Sequence, residues 1–227
     1  MAGMSAFLFN FFAVSCSLID ALPLVFLFYA AWQHRKYRQR TAFWANVLPP
    51  HTNLFFVVAH ITRLSAGIAT SVPLPLLWQS IVATALHCFV ILVIPKKETD
   101  FRFWQWGSAT SYFAVILTCL LCGYFSAYIG SENRFVVNAL VLLSVLAETA
   151  ARLWTPWAAT LSKSPTSAMS ILFWGSQALV DFYTWAYLRY TKSAFFPHMF
   201  LAFSVVDALI CAGRAKNEKM SVWTKGE

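Results

Sequence analysis

Long apolar stretches broken by short polar ones run the length of this chain. A helix that crosses a bilayer needs about 20 predominantly apolar residues. Seven such stretches can be laid out, roughly at 6–32, 42–64, 72–95, 103–127, 135–154, 165–188 and 195–213. The connections between them are short, and no linker, charge run or polar insert marks a second domain. The pattern predicts an all-α fold, a seven-transmembrane-helix bundle filling residues 1–227 as one membrane domain. No internal repeat is evident, which argues against the repeat-built transporter folds. The first stretch lacks a basic leader and is too long for the core of a cleavable signal, so it is expected to be a span.

Composition agrees with that pattern. With 59% hydrophobic and 11% charged residues, no soluble domain of 227 residues could hide its apolar surface. The net charge of +8 could point to nucleic acid, but the placement of the basic residues explains it otherwise. Thirteen of the 17 Lys and Arg fall on one side of the spans, in 35–40, 96–102, 152–163 and 214–225. Arg134, Arg189 and Lys192 fall on the other, and Arg63 lies near a helix end. The positive-inside rule then makes the N-terminus lumenal and the C-terminus cytosolic. A multi-pass protein of the endoplasmic reticulum membrane is expected, in contact with lipid and not with nucleic acid. The 5 Cys show no extracellular disulfide pattern, and Cys119 and Cys122 read as packing residues of an apolar helix.

Four of the acidic residues fall inside spans, where a charge is costly unless it is paired or faces a polar cavity. Glu148 stands four residues before Arg152, an i,i+4 pair that needs no catalytic role. Asp20 shares a stripe with Asn10 and Ser17, consistent with hydrogen bonding between helices. Asp181 shares a face with Trp174, Gln177 and Trp185, a polar stripe flanked by indoles that suits a lined pocket as well as a packed core. Asp207 is different. Its neighbours one turn away are Phe203, Ser204, Ile210 and Cys211, none of them cationic. An acid so placed is expected to keep its proton and to be available as a general acid.

His60 and His87 also lie in spans, the latter on a stripe with Ser80 and Thr84. No His-x-x-Glu or His-x-x-x-His pair accompanies them, so a metal site has little support. No nucleophile elbow, phosphate loop or aspartate-rich motif is present. Trp, Tyr and Phe make up 17% of the residues. Many will face lipid or the interfaces, but rings that converge on a cavity stabilise a cation through their faces.

The last third of the sequence carries a resemblance. "SPTSAMSILFWGSQAL" at 164–179, "LRY" at 188–190 and "FSVVDALICAGRAK" at 203–216 resemble stretches of the small seven-span terpene cyclases of fungal meroterpenoid and indole-diterpene pathways, the paxilline and pyripyropene type. "LPPHTN" adds Pro49 and Asn53, similar to that family's Pro-x-x-x-Asn pattern. The likeness covers about half of the chain through scattered positions. It implies a membrane-bound cyclase that opens the terminal epoxide of a small hydrophobic prenylated substrate by general-acid catalysis and closes a ring. It would need no metal or organic cofactor and would work beside other enzymes of its pathway in the same membrane. The resemblance assigns proton donation to Asp207. The family's second acid, a glutamate four residues after the Asn, is replaced here by Val57. Asp181 or His60 could supply its function, or the chemistry could be a simpler epoxide opening by an internal hydroxyl, as in the ascofuranone and ascochlorin branch. Trp174, Gln177, Trp185, Asn53, His60 and Phe203 are the candidate substrate-binding residues. The competing expectation is a non-catalytic seven-span transport or sensory protein whose buried acids form a proton or ligand relay. A retinal-type photoreceptor is disfavoured, because none of the spans contains a Lys.

Overall fold

A computed structural model describes residues 25, 50–72, 74–93, 109–130, 133–162, 168–190 and 197–223 of the chain. The predicted span at 6–32, with Asn10, Ser17 and Asp20, lies outside the described residues, as do the basic segments at 35–40 and 96–102. The described residues form helices and contain no strand. The helices are α1 (Pro50–Ala69), α2 (Leu74–Val93), α3 (Ala109–Gly130), α4 (Arg134–Ser162), α5 (Ala168–Tyr190) and α6 (Pro197–Trp223). Each coincides with one predicted apolar stretch.

Three of these helices hold stretches long and apolar enough to cross a membrane: Thr52–Ala69, Arg134–Trp154 and His198–Lys216. Burial is distributed as lipid solvation requires. Large apolar side chains such as Leu121, Phe125, Leu142, Leu146 and Leu209 face outward, while Glu148, Arg152, Asp181 and Asp207 are all buried. Charged groups inside and leucines outside invert the soluble pattern, as expected of a membrane protein.

The ends of the helices follow local chemistry. Proline opens α1 at Pro50, where a missing N–H leaves no helical bond unmade. The same helix closes in a Schellman motif, Val72 N–H donating to the Gly67 carbonyl at 2.9 Å and Ser71 N–H to that of Ile68 at 3.2 Å. Ser71 takes the left-handed position of that motif, with φ 52°, where glycine is usual. Asn133 caps α4, its Oδ1 accepting from Phe135 N–H at 3.0 Å. Most of the helices run past the predicted ends of their spans, α4 and α6 furthest. Instead of stopping at 154, α4 continues through Pro156 to Ser162, and α6 runs past 213 to Trp223.

The bundle is organised around α1, which packs on α2, α3 and α4, while α5 and α6 form an antiparallel pair. Ser204 Oγ donates to the Ala178 carbonyl at 2.8 Å and Cys211 Sγ to that of Ile171 at 3.4 Å, which fixes their register. That register sets Asp207 level with Gly175. Close approach is also needed between α1 and α3, where a Cβ on Gly123 would lie 2.7 Å from Ser65 Oγ and 2.8 Å from Ile61 Cγ2. Between those helices an apolar groove of about 490 Å³ opens outward, lined by Leu64, Ile68, Leu120 and Tyr124 among others. Cys119 packs beside Val57, Ile61 and Ile116, in keeping with a packing role, whereas Cys122 is exposed.

Candidate functional site

A single arginine organises the interior. Arg152 stands in α4, buried, and each of its five N–H donors finds an acceptor. Its Nε donates to Asp207 Oδ1 at 2.8 Å, and its Nη2 to Asp207 Oδ2 at 2.9 Å and Asp181 Oδ2 at 2.5 Å. Its Nη1 donates to Glu148 Oε2 at 3.2 Å and to the Glu148 carbonyl at 3.4 Å. The other Glu148 oxygen accepts from Arg63 Nη2 of α1. One polar chain therefore runs from Arg63 through Glu148 and Arg152 to Asp181 and Asp207, tying α1, α4, α5 and α6 together.

This geometry corrects the sequence-based view of Asp207. The acid has a cationic partner, held on both of its oxygens, which comes from another helix and not from a neighbouring turn. Arg152 is correspondingly not a loop residue at the membrane margin. Because α4 continues ten residues beyond it to Ser162, Arg152 lies well inside the helix and is turned into the bundle. Arg63 likewise belongs to the interior. The predicted Glu148–Arg152 pair is present, but as one link of a longer network.

Charge counting gives the cluster its chemistry. Two guanidiniums face three carboxylates, so one acid is in excess. Two carboxylates that share a single guanidinium nitrogen repel one another, and one proton between them would neutralise the cluster.

Aromatic rings enclose it. The guanidinium of Arg152 lies 4.1 Å from the ring centroid of Phe203 and 5.7 Å from that of Phe56. Arg63 lies 4.6 Å from the Phe200 ring. Phe56, His87 and His60 stack nearly parallel, with centroids 4.7 Å apart for Phe56–His87 and 5.8 Å for His60–His87. Trp174, fully buried, stands 6.4 Å from Phe56. His87 Nδ1 lies 2.9 Å from Asn53 Oδ1, an oxygen that only accepts, so Nδ1 carries the proton and Nε2 is left as the acceptor.

Beside the cluster is a small cavity of about 20 Å³, whose polar lining comes from His60 and Arg63 of α1, Gln79 and His87 of α2, and Gln177 and Asp181 of α5, with Ala83, Leu86 and Val180 completing the wall. That volume holds roughly one water molecule. His60 Nδ1 and Arg63 Nε are buried and have no hydrogen-bond partner among the described residues. Gln79, by contrast, is fixed by a 2.8 Å bond from its Nε2 to Thr184 Oγ1.

Asp181, Asp207, Gln177, His60, Asn53, Trp174 and Phe203 thus fall within one region, and Trp185, one turn beyond Asp181, stands at its edge. Trp185 shares the face of Trp174 but stands eleven residues on, about 16 Å along the axis, and packs on the Leu76, Tyr187, Leu188 and Phe200 cluster. Ser80 and Thr84 donate to carbonyls of their own helix, leaving His87 as the member of its stripe bonded to another helix. Val57 faces Ile61 and Ile116 and so points away from the acids. Among the described residues no group of His, Cys, Asp and Glu could hold a metal ion. The sequence reading missed Arg63 and Arg152 as site residues. The available signal was the cost of an arginine within the apolar run "LAETAARLW". Comparison with protein families, curated proteins and solved structures gives no match to this chain.

Proposed function

We propose that this protein is a multi-pass membrane cyclase of the meroterpenoid type, which opens a terminal epoxide on a prenylated substrate by protonation. The carrying observation is the excess buried acid: Asp181 and Asp207 share Arg152, and Asp181 also lines the polar cavity. In this reading Asp181 delivers the proton, because Asp207 spends both oxygens on Arg152. Asp207 is the positioning partner, which holds the guanidinium so that Asp181 can be neutral before transfer and stabilised as an anion after it. Phe56, Phe203 and Trp174 shield the developing cation with ring faces. Positioned proton transfer contributes roughly 10²–10⁴-fold to a rate, and no metal or cofactor is needed to protonate an epoxide.

The resemblance of the last third of the sequence supports the same chemistry. The second acid of the family, lost at Val57, is replaced by Asp181, so that Asp181 and Asp207 form the acid pair. A seventh span at 6–32, a lumenal N-terminus, a cytosolic C-terminus and residence in the endoplasmic reticulum complete the proposal. They rest on the apolar pattern and the basic-residue bias of the sequence.

The size of the cavity favours a second reading. Room for one water suits a proton relay without catalysis, whereas a cyclase must displace side chains to admit its substrate, and half-buried Gln177 is placed to swing aside. Microsomes containing the protein, supplied with an epoxyfarnesyl phenol, distinguish the two. A cyclised isomer of unchanged mass, identified by NMR, supports the cyclase. Quantitative recovery of the epoxide supports the relay.

A further inference from the structure

The polar cavity carries an inference that rests on the cyclase reading. Opening an epoxide takes up a proton at its oxygen as the C–O bond breaks and its electron pair moves to oxygen. Quenching the resulting cation releases one, either from a carbon beside the cationic centre or from the hydroxyl that captures it. The overall reaction is an isomerisation with no net proton, so the enzyme must return the released proton to its donor. A donor buried beneath aromatic rings has no direct path to bulk water. Something next to it must do this.

His60 has the placement. Its side chain is buried and its Nδ1 has no partner among the described residues. It borders the same cavity as Asp181, and that cavity has the volume of about one water. The charged and titratable groups around it are Arg63 on its own helix, His87 on α2 and Asp181 on α5. Arg63 is engaged with Glu148, and His87 gives its Nδ1 proton to Asn53. Among the cavity-lining imidazoles, His60 is the one with an uncommitted Nδ1.

We infer that a water in this cavity links the His60 imidazole to Asp181, and that His60 recycles the proton. The water gives a proton to the imidazole as it takes the one released by the cation. The imidazolium then returns its proton through the same water to the Asp181 carboxylate. Donor and imidazole both end as they began, and no oxidant, reductant or co-substrate is consumed. His60 acts on the donor and not on the epoxide, so it is a positioning and relay residue.

Rapid-mixing measurement of product formation by the purified full-length protein, with substrate in excess, tests this. His60→Gln keeps polarity and approximate size but cannot carry the proton, while Asp181 stays loaded for one turnover. The expected trace is one product per protein at the wild-type rate, followed by a steady state about 10²-fold slower. Ala83→Val fills the cavity from α2 without altering His60 or Asp181, and should give the same trace. A His60→Gln or Ala83→Val protein with wild-type steady-state turnover would overturn the relay while leaving the cyclase standing. Equal slowing of the first and later turnovers would also overturn it, assigning His60 to packing or substrate placement. A wild-type protein that forms no product would remove the cyclase reading, and the relay with it.

Discussion

Removing Arg152 should do more damage than removing any carboxylate it holds. In Arg152→Met a side chain of similar length keeps the packing, but all five hydrogen bonds disappear. Asp207 then loses both of its acceptor bonds to Arg152, Asp181 its 2.5 Å bond, and Glu148 keeps only Arg63. Leaving buried charge without its partner costs about 3–5 kcal/mol. That is a large part of the roughly 5–15 kcal/mol by which domains are stable. At about 2–4 °C per kcal/mol for a protein of this size, the melting temperature should fall by roughly 6–20 °C. Arg152→Lys should restore little, because a single ammonium cannot serve three carboxylates through a five-donor fork. The diagnostic variant is the triple Arg152→Met/Asp181→Asn/Asp207→Asn, which removes the stranded charges along with the cation and should regain most of the loss. Thermal unfolding in detergent, followed by tryptophan fluorescence, gives all three values. If Arg152→Met melts within 2 °C of the wild type, or the triple variant is no more stable than the single one, the guanidinium does not hold the network together.

Further outcomes follow from separate parts of the molecule. Ser71→Gly relieves the left-handed strain at the end of α1 and should stabilise the protein by about 1 kcal/mol in the same melts. Gly123→Ala drives a methyl into Ser65 and Ile61 and should destabilise by about 1–3 kcal/mol, separating α3 from α1. Asp207→Asn leaves two guanidiniums facing two carboxylates, so Asp181 has no reason to hold a proton. Its cyclisation rate should therefore fall by about 10²-fold or more, read by product mass spectrometry on folded protein. A tag after Glu227 should be digested by protease added to sealed, right-side-out microsomes, since the C-terminus is proposed to be cytosolic.

The sequence made the helices legible and the charge network only half so. Apolar runs overlap all six described helices, and three of them are long and apolar enough to meet the length a bilayer requires. Their ends were less readable. Pro156 and the charged residues after Gly213 resemble stop signals, yet α4 and α6 pass through them. That misplacement had a consequence, because a helix ending at 154 puts Arg152 at the membrane margin, where it counts as an orientation signal. The partner of Asp207 was hidden for a second reason. Periodicity reports neighbours three and four residues away, whereas Arg152 and Asp207 are 55 residues apart and meet only when α4 and α6 pack. Asp181, Gln177 and Trp174 were found together because they share one helix face. Trp185 shares their face one turn beyond Asp181 and packs at the edge of the region, beside Phe200. The proximity of Asn53 and His87, and of His60 to Asp181, required the packed helices.

Turnover of an epoxyfarnesyl phenol by purified Asp181→Asn protein decides whether this acid is the proton donor. Asparagine keeps the size and polarity of the side chain and can still accept from Arg152, but it has no acid proton to give. The variant should be folded and monodisperse, with product formation reduced by about 10²–10⁴-fold relative to the wild type. Turnover within a few-fold of the wild type would contradict that role, and would return Asp181 to the role of a structural acid in a buried ion network.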